Sequence, residues 1–144
     1  MLGTLALFLR IIWSIVAFSI AAQAQSVSDA DAASFRQIIS GQIAAFDAGD
    51  GAKAWSYAAP NIQMIFPSPE SFMAMVRKGY PPVYRPRSWK FGPLESKDGQ
   101  IAQDVELVGP DGDYWHALYT IARQPDGSWK ITSCQLIKSE GSAA

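Results

Sequence analysis

The sequence predicts an α+β domain in which N-terminal helices pack on a four-stranded antiparallel meander sheet. In the first half of the chain, apolar residues recur every three or four positions, which is typical of amphipathic helices. After Gly79 the composition changes to that of strands, separated by turns rich in Gly, Pro and Asp. The chain has 144 residues, enough for one moderate core but not for two.

The first 24 residues form a separate segment, which we interpret as a secretory signal peptide. They are almost wholly apolar, carry one charge at Arg10, and end in Ala22-Gln23-Ala24, the pattern that signal peptidase reads. Cleavage after Ala24 leaves a domain at 25–140 and a tail at 141–144 that we expect to fray. The predicted location is periplasmic or secreted. The alternative is an inner-membrane anchor formed by the uncleaved segment, because its apolar stretch approaches the ~20 residues that span a bilayer.

The helices are predicted from apolar stripes, caps and breakers. Ser28 is a plausible N-cap of the first helix, and Gly49-Asp50-Gly51 ends it. Ser68 caps a later helix that has Pro69 in its first turn. The predicted segments are a helix at 28–47, a short helix at 52–59, a brief turn of helix or a linker at 61–66, and a helix from 68 to 79.

The strands are predicted at 89–95, 100–108, 114–124 and 128–138. Their odd positions are the more apolar, so we expect the odd face of the sheet to meet the helices. The even face is mixed and suits solvent or a partner subunit. A hairpin centred on Asp111 sets Glu106 opposite His116. The polar and aromatic residues predicted on the odd face are Gln103, Trp115, Tyr119, Ser133 and Gln135.

Three stretches of the chain carry a family resemblance: "AFDAGDGAKAW", "SPESFMAMVRKGYPPVYRPRSWKF" and "DGSWKITSCQL". Together they resemble a family of short exported bacterial proteins classed as a domain of unknown function, over residues 28–136. The element order is similar to the nuclear transport factor 2-like (cystatin-like α+β) cone, which implies a curved sheet. Relatives in that wider superfamily include isomerases, dehydratases and polyketide cyclases, and also non-enzymatic binding or dimerisation modules. The resemblance assigns no catalytic residue.

Three residues are candidates for catalysis. Tyr119 could donate a hydrogen bond to a carbonyl oxygen, but the odd face offers it no base, so a core tyrosine is the favoured interpretation. Glu106 and His116 could form an acid/base dyad, but they are equally an ordinary cross-strand pair on the polar face, which is favoured.

The sequence predicts neither a metal site nor a cofactor. One histidine, one cysteine and scattered carboxylates do not supply converging metal ligands, and no phosphate-binding glycine motif is present. Cys134 lies in a strand and is interpreted as a small buried residue. The formal net charge of −1 and the signal segment argue against nucleic acid as a partner.

Residues 79–91, "GYPPVYRPRSWKF", are the strap, which is rich in prolines, aromatics and basic residues and contains no acid. Its prolines favour an extended or polyproline-II backbone. Arg85 and Arg87 can point outward and bind an anionic group. The favoured interpretation is a structural connector over the mouth of the cone, whose arginines cap helices or pair with the chain's own acids. The aromatic residues expected to pack inward are Tyr80, Tyr84 and Trp89.

Two function hypotheses follow. The first is a non-catalytic binding or interaction module for a small ligand, with an anionic small molecule, an envelope component or a protein as partner. The second is an enzyme of the isomerase or dehydratase type that uses a pocket in the cone. A homodimer through the mixed outer sheet face fits both. Membrane attachment is expected only if the N-terminal segment is uncleaved.

Overall fold

The computed structural model describes residues 27–97 and 100–140, and it confirms the α+β class. In the described residues, five helices precede four strands, which form one antiparallel sheet in the order β1-β2-β3-β4. The helices are α1 (Asp29–Asp47), α2 (Gly51–Ser56), α3 (Pro60–Ile65), α4 (Pro69–Gly79) and α5 (Pro81–Tyr84). The strands are β1 (Ser88–Lys97), β2 (Gln100–Val108), β3 (Tyr114–Arg123) and β4 (Trp129–Lys138).

Two of the sequence predictions fall outside the described residues: the signal peptide at 1–24 and the tail at 141–144. Among the helices of the described part, none is both long and apolar enough to cross a membrane.

Helix α1 begins and ends as its sequence predicts. The Ser28 side chain accepts a hydrogen bond from the Asp31 amide, so Ser28 is the N-cap. After Asp47 the chain leaves the helix through Gly49, whose φ of 68° lies in the left-handed region that glycine tolerates. The buried side of α1 includes Phe35, Ile39 and Phe46, which pack on the sheet and the other helices.

Helix α2 is shorter than the predicted 52–59 segment, because the chain leaves the helix to pair with β4. The Ala59 amide donates to the Ile131 carbonyl at 2.8 Å, and the Ile131 amide donates to the Tyr57 carbonyl at 2.9 Å. These bonds place Ala58 beside Ile131 as an isolated parallel bridge. The segment left open as a turn or linker is helix α3.

Proline begins three of the helices, and this corrects the prediction for the strap. Pro81 and Pro82 lie in the first turn of α5, not in an extended or polyproline-II segment. A proline lacks only an amide hydrogen that the first helical turn leaves unpaired, and its fixed φ suits a helix. Val83 is buried in the core, and this burial favours the helical turn over an extended strap. Pro60 and Pro69 begin α3 and α4 in the same way.

Strands β2 and β3 pair in the predicted register, with Glu106 opposite His116 and Asp104 opposite Leu118. Their odd positions face the helices, as predicted, and form the inner face of the sheet. The inner-face residues buried on these two strands are Gln103, Val105, Leu107, Ala117, Tyr119 and Ile121.

A bulge in β4 overturns part of the predicted face assignment. Thr120 pairs with Ser133 but Ile121 pairs with Ile131, so Thr132 is an extra residue in β4. One extra residue reverses the direction of every later side chain in the strand. The prediction that Ser133 and Gln135 lie on the inner face is therefore wrong. Cys134 and Leu136, which pair with Tyr119 and Ala117 and pack against the core, take the inner positions.

A second bulge, in β1, explains the buried Gln103. The register of β1 shifts between Phe91 and Leu94, at Gly92 and Pro93. The side-chain amide nitrogen of Gln103 lies 2.9 Å from the Gly92 carbonyl and 3.3 Å from that of Pro93. Gln103 therefore supplies hydrogen bonds to carbonyls that the bulge has taken out of regular pairing.

Candidate functional site

An apolar cavity of about 420 Å³ lies between the helices and the inner face of the sheet. We call it the inner cavity. It is enclosed by α1, α3, α4, the strap and strands β3 and β4. Its apolar lining residues are Phe46, Ile62, Ile65, Phe66, Phe72, Met75, Val76, Val83 and Ile131.

The deepest polar group of the inner cavity is the Tyr119 hydroxyl. Tyr119 is fully buried, and its hydroxyl has no hydrogen-bond partner among the described residues. Burial raises the pKa of Tyr119 well above its usual value, and the neighbouring Cys134 thiol raises it further. The hydroxyl therefore stays protonated and is available as a hydrogen-bond donor.

Cys134 lies beside Tyr119 in the same cavity. Although part of this residue reaches the surface, its thiol is buried, and burial raises the pKa of Cys134 to about 12. The thiol and the Tyr119 hydroxyl are close enough to interact, and their contact raises the pKa of Tyr119 and lowers that of Cys134 against the larger effect of burial. The contact does not meet the geometry of a regular hydrogen bond. A protonated thiol is a poor nucleophile, so this arrangement agrees with the interpretation of Cys134 as a small buried residue.

The mouth of the inner cavity lies between α3 and β4, where the lining residues Asn61, Ile65 and Ser133 are exposed. Ile65 is 70 % exposed, and the adjacent Met64 is 82 % exposed. Two large apolar side chains on an uncharged helix thus stand at the entrance of an apolar cavity. Such exposure is typical of a site where an apolar ligand passes or binds.

Helix α3 is held in place at both ends, so the exposed pair has a fixed position. At its start, the Asn61 side-chain amide donates to the Thr132 carbonyl at 3.1 Å. At its end, the Trp55 indole donates to the Phe66 carbonyl at 2.8 Å. The β4 bulge therefore also helps to position the mouth of the cavity, because the carbonyl of its extra residue, Thr132, accepts a hydrogen bond from α3.

The other two catalytic candidates lie on the opposite face of the sheet. The His116 imidazole contacts the Asp104 carboxylate at 2.9 Å, diagonally across the strands, and not the predicted Glu106. Glu106 instead pairs with Lys90 of β1 at 3.2 Å. The predicted register is right but the predicted side-chain pair is wrong, because a diagonal partner lies within reach and Lys90 attracts Glu106.

The five predicted binding residues of the strap do not form one site. Tyr80 lines the inner cavity. Tyr84 and Trp89 pack against other parts of the core. Arg85 and Arg87 are exposed, as expected, and neither pairs with a described carboxylate.

The two arginines lie in different surroundings. Arg85 lies over the Tyr84 ring, 5.2 Å from its centre. The Arg87 amide donates to the Val108 carbonyl at 2.8 Å, and its guanidinium lies against the turn at Gly112.

Several cavity residues were missed by sequence reasoning, among them Gln42, Phe46, Phe72 and Met75. Their helical spacing in the sequence predicts a buried helix face. It does not predict whether that face packs against other residues or borders a cavity. Gln42 differs from the other three because it is a buried polar residue within an apolar stripe. Its amide donates to the Ala54 carbonyl at 3.1 Å.

The fold and the cavity define a small α+β protein with a ligand-sized apolar cavity between its helices and sheet. Residues 28–144 match the model of a family described as a domain of unknown function (DUF4864), so the chain belongs to that family. No curated protein and no solved structure matches the chain.

Proposed function

We propose that this protein is a non-catalytic binding module that holds a small, mostly apolar molecule in the inner cavity. The observation that carries the proposal is Tyr119, a residue of the cavity lining whose hydroxyl is fully buried and makes no regular hydrogen bond within the described chain. Leaving a buried hydroxyl unpaired costs about 1–3 kcal/mol. A ligand with a hydrogen-bond acceptor would remove that cost.

The lining defines the kind of ligand. Its volume of about 420 Å³ lies in the range of small-molecule sites. Its polar groups are neutral amides, hydroxyls and a protonated thiol, with no Lys, Arg or His among the residues that line it. The buried part of the ligand is therefore neutral and apolar, with an acceptor such as a carbonyl, ester or ether oxygen at the Tyr119 end.

Binding is favoured over isomerase or dehydratase chemistry by the same lining residues. Proton transfer at carbon needs a base within hydrogen-bond reach of the substrate. Neither a carboxylate nor an imidazole lines the inner cavity, and the Asp104–His116 pair lies on the other side of the sheet.

The setting of this binding module is also part of the proposal. The apolar segment at 1–24 supports export, and the order of helices and antiparallel strands supports a nuclear transport factor 2-like cone. An exported carrier of a sparingly soluble molecule would need a site of this kind, apolar inside and open at an exposed apolar edge.

Two fluorescent probes of similar size test the proposal. 6-Acetyl-2-(dimethylamino)naphthalene has a carbonyl acceptor, whereas N-phenyl-1-naphthylamine has none. We expect both probes to bind the purified protein. Tyr119→Phe should weaken binding of the carbonyl probe about 5–10-fold, the effect of one lost hydrogen bond, and change the other less than twofold.

The control is Tyr114→Phe, which removes a hydroxyl from an exposed tyrosine of the same strand. It should leave both probes bound as in the wild type. Met75→Trp, which fills the cavity, should release both. If the carbonyl probe binds Tyr119→Phe normally, the role given to Tyr119 is wrong. Binding that survives Met75→Trp would rule out the cavity as the site. Native mass spectrometry of the protein from its own host then identifies the natural ligand.

A further inference from the structure

A second feature, independent of the inner cavity, is the surface around Tyr84, where two arginines lie on one aromatic ring. The guanidinium carbon of Arg85 is 5.2 Å from the ring centre, and that of Arg77 is 5.9 Å away. Arg77 comes from the last turn of α4, whereas Arg85 directly follows α5. In the sequence Arg85 lies close to Arg87, but the fold brings it beside Arg77 instead.

Neither of these arginines is neutralised within the described residues. Two described lysines pair with acids, Lys90 with Glu106 at 3.2 Å and Lys138 with Asp113 at 3.0 Å. Arg77 and Arg85 form no such pair, although the chain has 13 acidic residues. A bound anion would therefore meet two positive charges beside one ring that no described carboxylate neutralises.

The local backbone holds this pair of charges in a defined geometry. Two prolines begin α5, and the Arg85 amide donates to the Pro81 carbonyl at 3.1 Å. The Tyr84 ring packs against Phe46, with ring centres 6.3 Å apart. A site that is already ordered loses little conformational entropy when a ligand binds.

Helix α4 separates this surface from the inner cavity. Phe72, Met75 and Val76 line the cavity, whereas Arg77 and Tyr84 line a depression of about 350 Å³ on another side of the helix. Glu70 also lines this depression. It lies two helical turns before Arg77, about 10 Å along the helix axis, so its charge is at the far end.

We propose that Arg77 and Arg85, held on the Tyr84 ring, bind a phosphate group. A guanidinium donates paired hydrogen bonds to neighbouring oxygens, so two of them suit a group with three or more oxygens. The group can belong to a soluble phosphate ester or to a phospholipid headgroup, which share this chemistry.

Titration with inorganic phosphate, followed by the backbone amide NMR shifts of residues 77, 84 and 85, tests the proposal. Saturable shifts are expected at these positions. Arg77→Gln and Arg85→Gln should each weaken binding at least about tenfold, which corresponds to one charge-assisted hydrogen bond. Arg87→Gln is the matched control, because it removes an exposed arginine of the same strap that does not contact Tyr84. It should change the affinity less than twofold.

Three results overturn the proposal: no saturable shift, an equal loss in Arg87→Gln, or equally tight binding of acetate. Sedimentation with phosphatidylglycerol vesicles distinguishes the two sources. Retention that Arg77→Gln abolishes and Arg87→Gln leaves unchanged identifies a lipid headgroup. Phosphate binding without retention identifies a soluble ester. Tyr119→Phe should leave phosphate binding unchanged. A failure of the phosphate proposal would therefore not affect the proposal for the inner cavity, and the reverse also holds.

Discussion

On the outer face of the sheet several polar and charged side chains pair with one another, whereas on the inner face a buried hydroxyl has no regular hydrogen-bond partner among the described residues. His116 contacts Asp104, and Lys90 contacts Glu106, all on the outer face. On the inner face the Tyr119 hydroxyl is fully buried and unpaired among the described residues. The Asp104–His116 pair is of the kind found in acid/base sites, and it lies on the outer face. Among the buried polar atoms without a partner in the described residues, which also include Gln103 Oε1 and Trp115 Nε1, only the Tyr119 hydroxyl belongs to a residue that lines the inner cavity.

The largest expected difference between the faces is in packing. Leu107 on the inner face is 2 % exposed, and Leu118 on the neighbouring strand lies on the outer face. Leu107→Ala should lower the free energy of unfolding by about 2–5 kcal/mol, since it leaves a cavity in the core. Leu118→Ala should cost about 1 kcal/mol or less. Urea denaturation measures both, and equal losses would contradict the assignment of the two faces.

The next difference concerns pH. The Cys134 thiol stays protonated in the folded protein up to a pKa of about 12, but in the unfolded chain it ionises near 9.0. Its contribution to stability is therefore complete below pH 9 and is lost as pH rises from 9 towards 12. The free energy of unfolding should fall by up to about 1.4 kcal/mol per pH unit in that window from this group alone.

Cys134→Ala provides the control for this pH dependence. Denaturation curves between pH 8 and 10.5 should be less steep in pH for Cys134→Ala than for the wild type. Identical slopes would show that the thiol is not buried beside Tyr119 as described.

The smallest expected difference concerns two glutamines. Gln103 on the inner face bonds to carbonyls at the β1 bulge, whereas Gln135 is exposed on the outer face. Gln103→Leu should destabilise the protein by about 1–3 kcal/mol, since the carbonyls at the bulge lose their donor. Gln135→Leu should change stability by about 0.5 kcal/mol or less. A neutral Gln103→Leu would mean that the bulge does not depend on this amide.

Much of the fold was predictable because its signals are local. The Ser28 cap, the Ser68-Pro69 start of α4 and the turn centred on Asp111 each depend on residues that are close in sequence. The errors arose where a distant contact decided the outcome. Residues 57–59 left α2 to pair with β4, and Pro81 and Pro82 entered a helix because Val83 packs in the core.

The candidate site was less predictable than the fold. Tyr119 was identified from strand alternation, and its position on the inner face is as predicted. Ser133 and Gln135 were placed beside it wrongly, because a single extra residue at Thr132 changes the face and has no clear signal in the sequence. The sequence also did not predict that Arg77 and Arg85 lie beside the same ring, because the packing of α4 and α5 around Tyr84 brings them there.

The sequence by itself determined the helix-then-sheet order, the register of β2 with β3 and the basic, acid-free composition of the strap. These follow from periodicity, turn residues and composition, which act over short separations. Only the tertiary structure decided where the cavity opens, which polar groups in it are unpaired and which arginines share a ring. Those properties depend on the space left between packed elements, and that space is set by contacts between residues far apart in the chain.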